Sequence, residues 1–222
     1  MKTVEGLNGD ESGVWRVTTV CSSYIVNFQR GTVTRIPGVG SNVTFNDFER
    51  PLRTLDTCKV GEAGYWTMKS EDSFADYYTQ QSTTIVRIAL LTGIELGKAM
   101  TDVALQNIHA LDGLYSMTDV ATMLNVEEPK IRVMLATDQL IALIWREEIV
   151  FPGCQFGPDR NHIESFVLPL VSAAADLDFS GFGLTFWLYT PTTYFGGDRP
   201  LSHLDEPERL VEAFIAHASI EW

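Results

Sequence analysis

Residues 116–156, SMTDVATMLNVEEPKIRVMLATDQLIALIWREEIVFPGCQF, carry the clearest local organisation in the chain. Ser116 or Thr118 can cap a first helix, because a hydroxyl oxygen at that position accepts a hydrogen bond from a first-turn amide. Asn125 falls where that helix would end in a turn, and Pro129 suits the first turn of a second helix. The stretch therefore predicts two helices joined by a tight turn.

The residues after the second helix read as two short strands. Apolar runs lie on both sides of a polar bend at Arg146 to Glu148. A hairpin in this position is the layout of a winged helix-turn-helix, which lays its second helix in the major groove of DNA. The candidate DNA-binding side chains of that helix are Lys130, Arg132 and Gln139. The carboxylates around them oppose a phosphate backbone by charge, and they are Glu127, Glu128, Asp138, Glu147 and Glu148.

Upstream, the chain is rich in the residue types of strands. VWRVTTV (14–20), YIVNFQRGTVTRIPG (24–38) and TTIVRIAL (83–90) are dominated by valine, isoleucine, threonine and aromatics, and Gly31 lies where a hairpin would turn. The polar run SEDSFADYYTQQS (70–82) is interpreted as a loop. We predict a small antiparallel β-domain over residues 1–91.

From Thr92 onward the apolar residues recur at helical spacing. TGIELGKAMTDVALQNIHALDGL (92–114) predicts a helix that leads into the winged module, and together they form a second domain over residues 92–157. Ile163, Phe166, Val167 and Leu170 indicate a further helix, and EPERLVEAFIAHASI (206–220) indicates a last amphipathic one. Residues 158–222 are predicted to form a C-terminal helical domain, which makes the fold α+β.

The C-terminal domain contains an unusual aromatic run, FWLYTPTTYFGGDRPLSHL (186–204). Its four aromatic residues before the first proline cannot all face one side of a helix. Pro191 ends that helix, and Gly196 with Gly197 permit a turn with positive φ that brings Pro200 back towards it. The run therefore predicts a shaped corner that leaves some aromatic surface for a partner.

Two resemblances involve these stretches. The segment around FPGCQF resembles an excisionase-like DNA-binding module whose hairpin ends in a similar corner. The last hundred residues, from about Met117 to Ala216, are similar to the C-terminal toxin-binding domain of the Xre/MbcA/ParS antitoxin family. The family signature falls here on Trp187, Pro191, Gly196, Gly197, Pro200 and Leu201. The basic recognition helix of typical members is absent, and the N-terminal β-domain is not part of the common short antitoxin plan.

The resemblance implies a function in protein binding. Family members neutralise a toxin, often of the RES type that consumes NAD, and their DNA-binding module represses their own operon. We therefore expect a cognate toxin protein as partner, covered at its active site without any cofactor. Buried aromatics and arginine are the usual anchors of protein interfaces. The candidate partner-binding residues are Trp187, Tyr189, Tyr194, Phe195 and Arg199.

Composition narrows the alternatives. The formal charge of −13 and the pI near 4.6 oppose nucleic acid and anionic lipid unless a local basic patch exists. The sequence contains no GxSxG motif, P-loop, HExxH motif or CxxC pair, so it predicts neither an enzyme nor a metal site. The N-terminal residues lack the features of a secretion signal and no apolar run is long enough to span a membrane, so we expect a cytoplasmic protein.

Two other functions remain open at this stage. The alternative is a DNA-binding transcriptional or phage-type regulator, in which Arg16, Arg30, Arg35, Arg50 and Arg53 add phosphate contacts and operator DNA is the partner. A third is an acidic surface that imitates DNA. A homodimer is compatible with either regulatory function, because winged modules commonly read two-fold half-sites.

Overall fold

The computed structural model describes residues 2–38, 41, 44, 47–70 and 75–219. The chain has a mixed α+β fold and divides into two compact units, residues 1–110 (unit 1) and residues 111–222 (unit 2). The described helices include none that is long and apolar enough to cross a membrane.

Unit 1 is built on an antiparallel sheet of seven strands in the described residues. The strands are β1 (Thr3–Val4), β2 (Val14–Thr19), β3 (Ser22–Asn27), β4 (Thr32–Pro37), β5 (Arg50–Thr57), β6 (Ala63–Lys69) and β7 (Tyr77–Leu90). The predicted hairpin is confirmed: β3 pairs with β4, and Gly31 turns between them with φ of 64°.

The sheet closes on itself through the long strand β7. The first half of β7 pairs with β6, and its second half pairs with β2. The enclosed core is apolar and includes Trp66 and Tyr24, whose rings meet edge to face at 4.7 Å. The interpretation of residues 70–82 as a loop was wrong for Tyr77 to Ser82, which belong to β7, whereas residues 71–74 lie outside the described residues. The polar side chains there alternate with buried ones because only one face of the strand meets the core.

The predicted connecting helix is α1 (Gly93–Asp112). Its buried residues Ala99 and Val103 pack in unit 1 against a second apolar cluster formed by Val14, Ile25 and Leu91. Since Tyr24 and Val26 belong to the enclosed core, Ile25 between them lies on the outer face of the sheet. The helix therefore covers part of that outer face.

Unit 2 contains a three-stranded antiparallel sheet and five α-helices among its described residues. They are β8 (Leu114–Ser116), α2 (Met117–Met123), α3 (Glu128–Ala136), β9 (Leu143–Trp145), β10 (Glu148–Pro152), α4 (Val167–Asp176), α5 (Gly181–Tyr189) and α6 (Pro207–Ala218). Short 3₁₀-helices span Gly153–Gln155, Thr193–Phe195 and Pro200–His203.

The local signals that predict α2 and α3 are confirmed. Ser116 is the N-cap of α2 and forms a capping box with Asp119, and Pro129 lies in the first turn of α3. The second helix is shorter than its apolar pattern suggests. It ends at Ala136, because Asp138 adopts a left-handed conformation with φ of 52°.

The corner after β10 is held by a buried glutamine. Gln155 is fully buried, and its amide donates to the Ile141 carbonyl while its side-chain oxygen accepts from the Ile141 amide. A second donation reaches the Pro152 carbonyl at 3.0 Å. These bonds join the chain before β9 to the chain after β10, so they close the base of the hairpin.

Candidate partner-binding site

The predicted corner follows α5 and reverses the chain within a few residues. Ser180 caps α5 at its N-terminus by accepting a hydrogen bond from the Gly183 amide at 3.1 Å. Thr190 ends the helix in an extended conformation, as expected for a residue that precedes proline. We call residues 190–206 the aromatic corner.

Two consecutive glycines make the reversal in the corner. Gly196 and Gly197 have φ of 69° and 102°, and a Cβ at either position would meet no atom within 4 Å. Glycine is therefore required by the backbone conformation and not by space. The turn is closed by hydrogen bonds from the Thr192 amide to the Asp198 carbonyl and from the Gly197 amide to the Thr192 carbonyl, both 2.9 Å long.

A stack of side chains fixes the middle of the corner. The Phe195 ring lies parallel to the His203 ring at 4.4 Å between centroids, and the Arg209 guanidinium lies over Phe195 at 5.1 Å. Glu206 accepts hydrogen bonds from Arg209 at 2.9 Å and contacts His203 Nδ1 at 3.1 Å. These two contacts, with Arg209 the stronger, lower the pKa of the Glu206 carboxyl. The corner is thus anchored to the first turn of α6.

The end of α5 is anchored in the interior of unit 2. The Trp187 ring packs edge to face on Phe214 of α6, at 5.2 Å. Tyr189 donates its hydroxyl hydrogen to Asp112 Oδ2 at 2.6 Å. Burial, with further contributions from Cys154 and Asp112, raises the pKa of Tyr189, so its hydroxyl stays a donor at neutral pH.

Asp112 is the centre of a polar cluster that the sequence did not predict. Its Oδ1 accepts from Arg160 at 2.8 Å, and Arg160 also donates to the Gly153 carbonyl. A Cβ at Gly153 would lie 2.1 Å from the Asp112 carbonyl oxygen, so only glycine allows this approach. The cluster joins the end of α1, the segment after β10 and α5. The available signal was the glycine of FPGCQF, since an aspartate and an arginine 48 residues apart show no pattern in sequence.

The five predicted partner-binding residues divide into two groups. Trp187, Tyr189 and Phe195 are buried and pack within unit 2. Tyr194 is 45% exposed, and its ring meets Phe195 edge to face at 5.3 Å. Arg199 is exposed. The buried three therefore shape the corner, while Tyr194 and Arg199 present its outer surface.

The three predicted DNA-binding residues are all exposed. Lys130 and Arg132 lie on α3, where Arg132 is 3.8 Å from Glu128 across one helical turn. Gln139 lies beyond the end of α3 and donates to the Thr137 hydroxyl at 2.9 Å. Only two of the three are therefore on the helix that would enter a groove.

The arginines proposed for phosphate contacts in unit 1 are largely engaged. Arg35 forms an ion pair of 2.5 Å with the buried Asp47, and Arg50 is buried between the rings of Phe48 and Tyr78. Arg30 contacts Glu49 at 3.3 Å, and Arg53 lies over the Tyr77 ring. The neighbours of these guanidinium groups reduce the positive potential that the unit can offer a phosphate backbone.

The negative charge of the chain is concentrated in unit 2. Residues 111–222 contain 17 aspartates and glutamates against six lysines and arginines, whereas residues 1–110 contain 12 against ten. Within the described residues, no group of three or more histidine, cysteine, aspartate or glutamate side chains is placed to hold a metal ion.

Comparison with known proteins adds one distant structural likeness. No family model matches the sequence, and a search of curated proteins found no match. The NMR structure of Rv2175c is similar to part of the chain at 21% sequence identity and a TM-score of 0.44, covering 49% of this chain and 82% of that one. At that TM-score the likeness carries no argument about function.

Proposed function

We propose that this protein is an antitoxin-like regulator that binds and neutralises a partner toxin through the aromatic corner. The observation that carries the proposal is the placement of Tyr194. Nearly half of its surface is exposed, yet its ring rests on Phe195, which is itself stacked on His203. An aromatic side chain held in this way loses little conformational entropy on binding, which favours its use as an anchor.

The charges around the corner fit a basic partner. Asp198, Asp205 and Glu208 are exposed beside Tyr194 and Arg199 in sequence, on a unit whose acidic residues outnumber its basic ones by 17 to six. Such a rim accelerates association with a cationic surface and disfavours anionic ones. Neutralisation would act by covering the active site of the toxin, and a RES-type enzyme is the expected class from the family resemblance.

The proposal includes a winged helix-turn-helix in unit 2. The tight turn between α2 and α3 and the antiparallel order β8-β10-β9 support that interpretation. In the antitoxin plan this module would bind operator DNA. The mixed charges of α3 favour a minor contribution from DNA in this chain.

The test uses the protein encoded by the adjacent reading frame. If its expression depletes NAD and arrests growth, co-expression with this chain should restore growth. The double variant Tyr194→Ala, Arg199→Ala should weaken the complex by about tenfold or more, since central anchors contribute roughly 2 kcal/mol on truncation. Tyr65→Ala removes a similarly exposed tyrosine from unit 1 and is the matched control.

Two results would contradict the proposal. One is a folded double variant that protects cells and co-purifies with the toxin as well as the parent protein does. The other is an adjacent protein that has no effect on growth and does not bind this chain.

The second candidate function is a DNA-binding transcriptional or phage-type regulator. The exposed Lys130 on α3 favours it. Binding to the upstream promoter fragment should then fall steeply with salt and weaken in Lys130→Ala. Absence of retardation at low salt counts against this function.

A further inference from the structure

The hairpin of unit 2 exposes a pair of isoleucines directly opposite each other. Ile144 of β9 and Ile149 of β10 are register partners, and their exposed fractions are 70% and 37%. Partners in an antiparallel pair share one face of the sheet, and Phe151, two residues beyond Ile149, shares it too. Phe151 is fully buried in the cluster that contains Val120 of α2 and Ile131 of α3. The isoleucines therefore extend the face of the hairpin that covers these helices, on the side of its turn.

Acidic residues dominate the surroundings of this pair. Between residues 117 and 149, from α2 to the hairpin turn, the chain has six carboxylates and three basic residues. Two of the basic residues have contacts of their own, since Arg132 lies 3.8 Å from Glu128 and Arg146 lies over the Trp145 ring at 4.3 Å. Glu147 and Glu148 stand at the turn beside the isoleucines and are exposed.

The turn itself is strained. Arg146 and Glu147 have φ of 51° and 67°, in a two-residue connection where asparagine and glycine are the usual residues. Side chains larger than glycine in this conformation cost free energy and are concentrated at functional sites. The strain keeps a carboxylate at the tip of the hairpin, beside the isoleucine pair.

We infer that this hairpin face, comprising Ile144, Glu147, Glu148 and Ile149, is a docking surface for a basic polypeptide. Its partner would present an apolar side chain to the isoleucines and lysine or arginine to the glutamates. Duplex DNA does not fit, because it offers phosphates to carboxylates and water to the isoleucines. A second copy of the chain does not fit either, since it would bring the same carboxylates against their equivalents.

The inference is separate from the proposed function of the aromatic corner. The two surfaces share no residue, so the variant Tyr194→Ala, Arg199→Ala is expected to leave binding at the hairpin face unchanged. Failure of one proposal is therefore distinguishable from failure of the other.

The experiment measures binding of the full chain to two helical peptides. One carries leucine on one face and lysine on the other, and the matched peptide has glutamate in place of every lysine. The lysine peptide should bind more tightly, with an affinity that falls as salt is added. Ile144→Thr with Ile149→Thr should weaken it by about tenfold, because threonine keeps the β-branched shape of the strand residues and lowers the apolar surface.

The controls separate charge from apolar contact. Glu147→Lys with Glu148→Lys should weaken binding of the lysine peptide and flatten its salt dependence. Val20→Thr, which changes a side chain of unit 1 that is 68% exposed, should leave binding unchanged.

Three outcomes would overturn the inference. They are equal binding of the two peptides, binding of the lysine peptide that survives the double isoleucine change, and retention of the parent chain on duplex DNA that the same change abolishes. A concentration-dependent dimer that dissociates in the isoleucine variant would also overturn it, in favour of a second copy on this face.

Discussion

Asp112 holds three separate segments of unit 2 together through one carboxylate. It accepts from Arg160 and from Tyr189, and its backbone carbonyl approaches Gly153 closely. Replacing one partner would leave a half-buried charge with fewer hydrogen bonds, which costs more than the bond alone is worth. The fully buried thiol of Cys154 lies beside this cluster and shares Tyr189 with it.

Cys154 makes the stability of unit 2 depend on alkaline pH. Burial raises the pKa of its thiol to about 12, compared with about 8.5 in an unfolded chain. Above the lower value the unfolded state loses a proton that the folded state keeps, so the free energy of unfolding falls as pH rises between the two values. Urea midpoints followed by hydrogen exchange of α4 should decrease from pH 8 to pH 10 (on the order of these values).

The variant Cys154→Ala should reduce that dependence on pH. Cys58→Ala is the control, because its buried thiol in unit 1 also has a pKa of about 12 but should not affect the amides of α4. An identical pH profile in Cys154→Ala and the parent protein would contradict the assignment.

Glu147 predicts a stabilising substitution. Its φ of 67° costs roughly 1 kcal/mol for a side chain with a Cβ, and glycine removes that cost. Glu147→Gly should therefore raise the free energy of unfolding by about 0.5–1 kcal/mol. Glu148→Gly loses the same charge at an ordinary strand position and should lower it, as measured by urea unfolding.

At the scale of elements, local signals predicted helix ends well and strand partners poorly. Ser116 and Pro129 act through contacts within a few residues, so the sequence shows them directly. The polar first half of β7 looks like a loop because its partner, β6, lies elsewhere in the chain. The corner was predictable in outline from its glycines, whereas burial of Trp187 and Phe195 depends on α6, about 20 residues away.

The capping box of α2 gives a test at this scale. Ser116 accepts from the Asp119 amide at 3.2 Å, and Asp119 accepts from the Ser116 amide at 2.9 Å. Ser116→Ala should lower the free energy of unfolding by about 1 kcal/mol. Thr118→Ala removes a hydroxyl that only reaches the exposed Glu128, so circular dichroism melts should show a smaller loss.

Two glycines should respond in opposite directions to the same change. Gly197 has φ of 102°, so Gly197→Ala strains the corner by about 1 kcal/mol although no atom obstructs the new methyl group. Gly97 lies inside α1 with open space around it, so Gly97→Ala should stabilise unit 1 by about 1 kcal/mol. Thermal melts that shift in the same direction for both variants would contradict the backbone assignments.

Across the whole molecule, charge is divided unequally. Unit 2 carries eleven of the thirteen net negative charges, a distribution that average composition does not reveal. Self-repulsion of unit 2 should weaken as salt screens it, so added sodium chloride should protect the amides of α4 more than those of β2. Hydrogen exchange with mass spectrometry at low and high salt measures both segments in one sample, and equal protection would contradict the expectation.

The strand β7 has a consequence for the fate of damaged chains. It occupies the edge of β6 with its first half and the edge of β2 with its second half. A proteolytic cut that released residues 77–90 would uncover both edges at once, beside strands rich in valine, isoleucine and threonine. Uncovered edges of that composition recruit strands from other molecules, so the truncated protein should assemble into amyloid-like fibrils that the intact chain does not form.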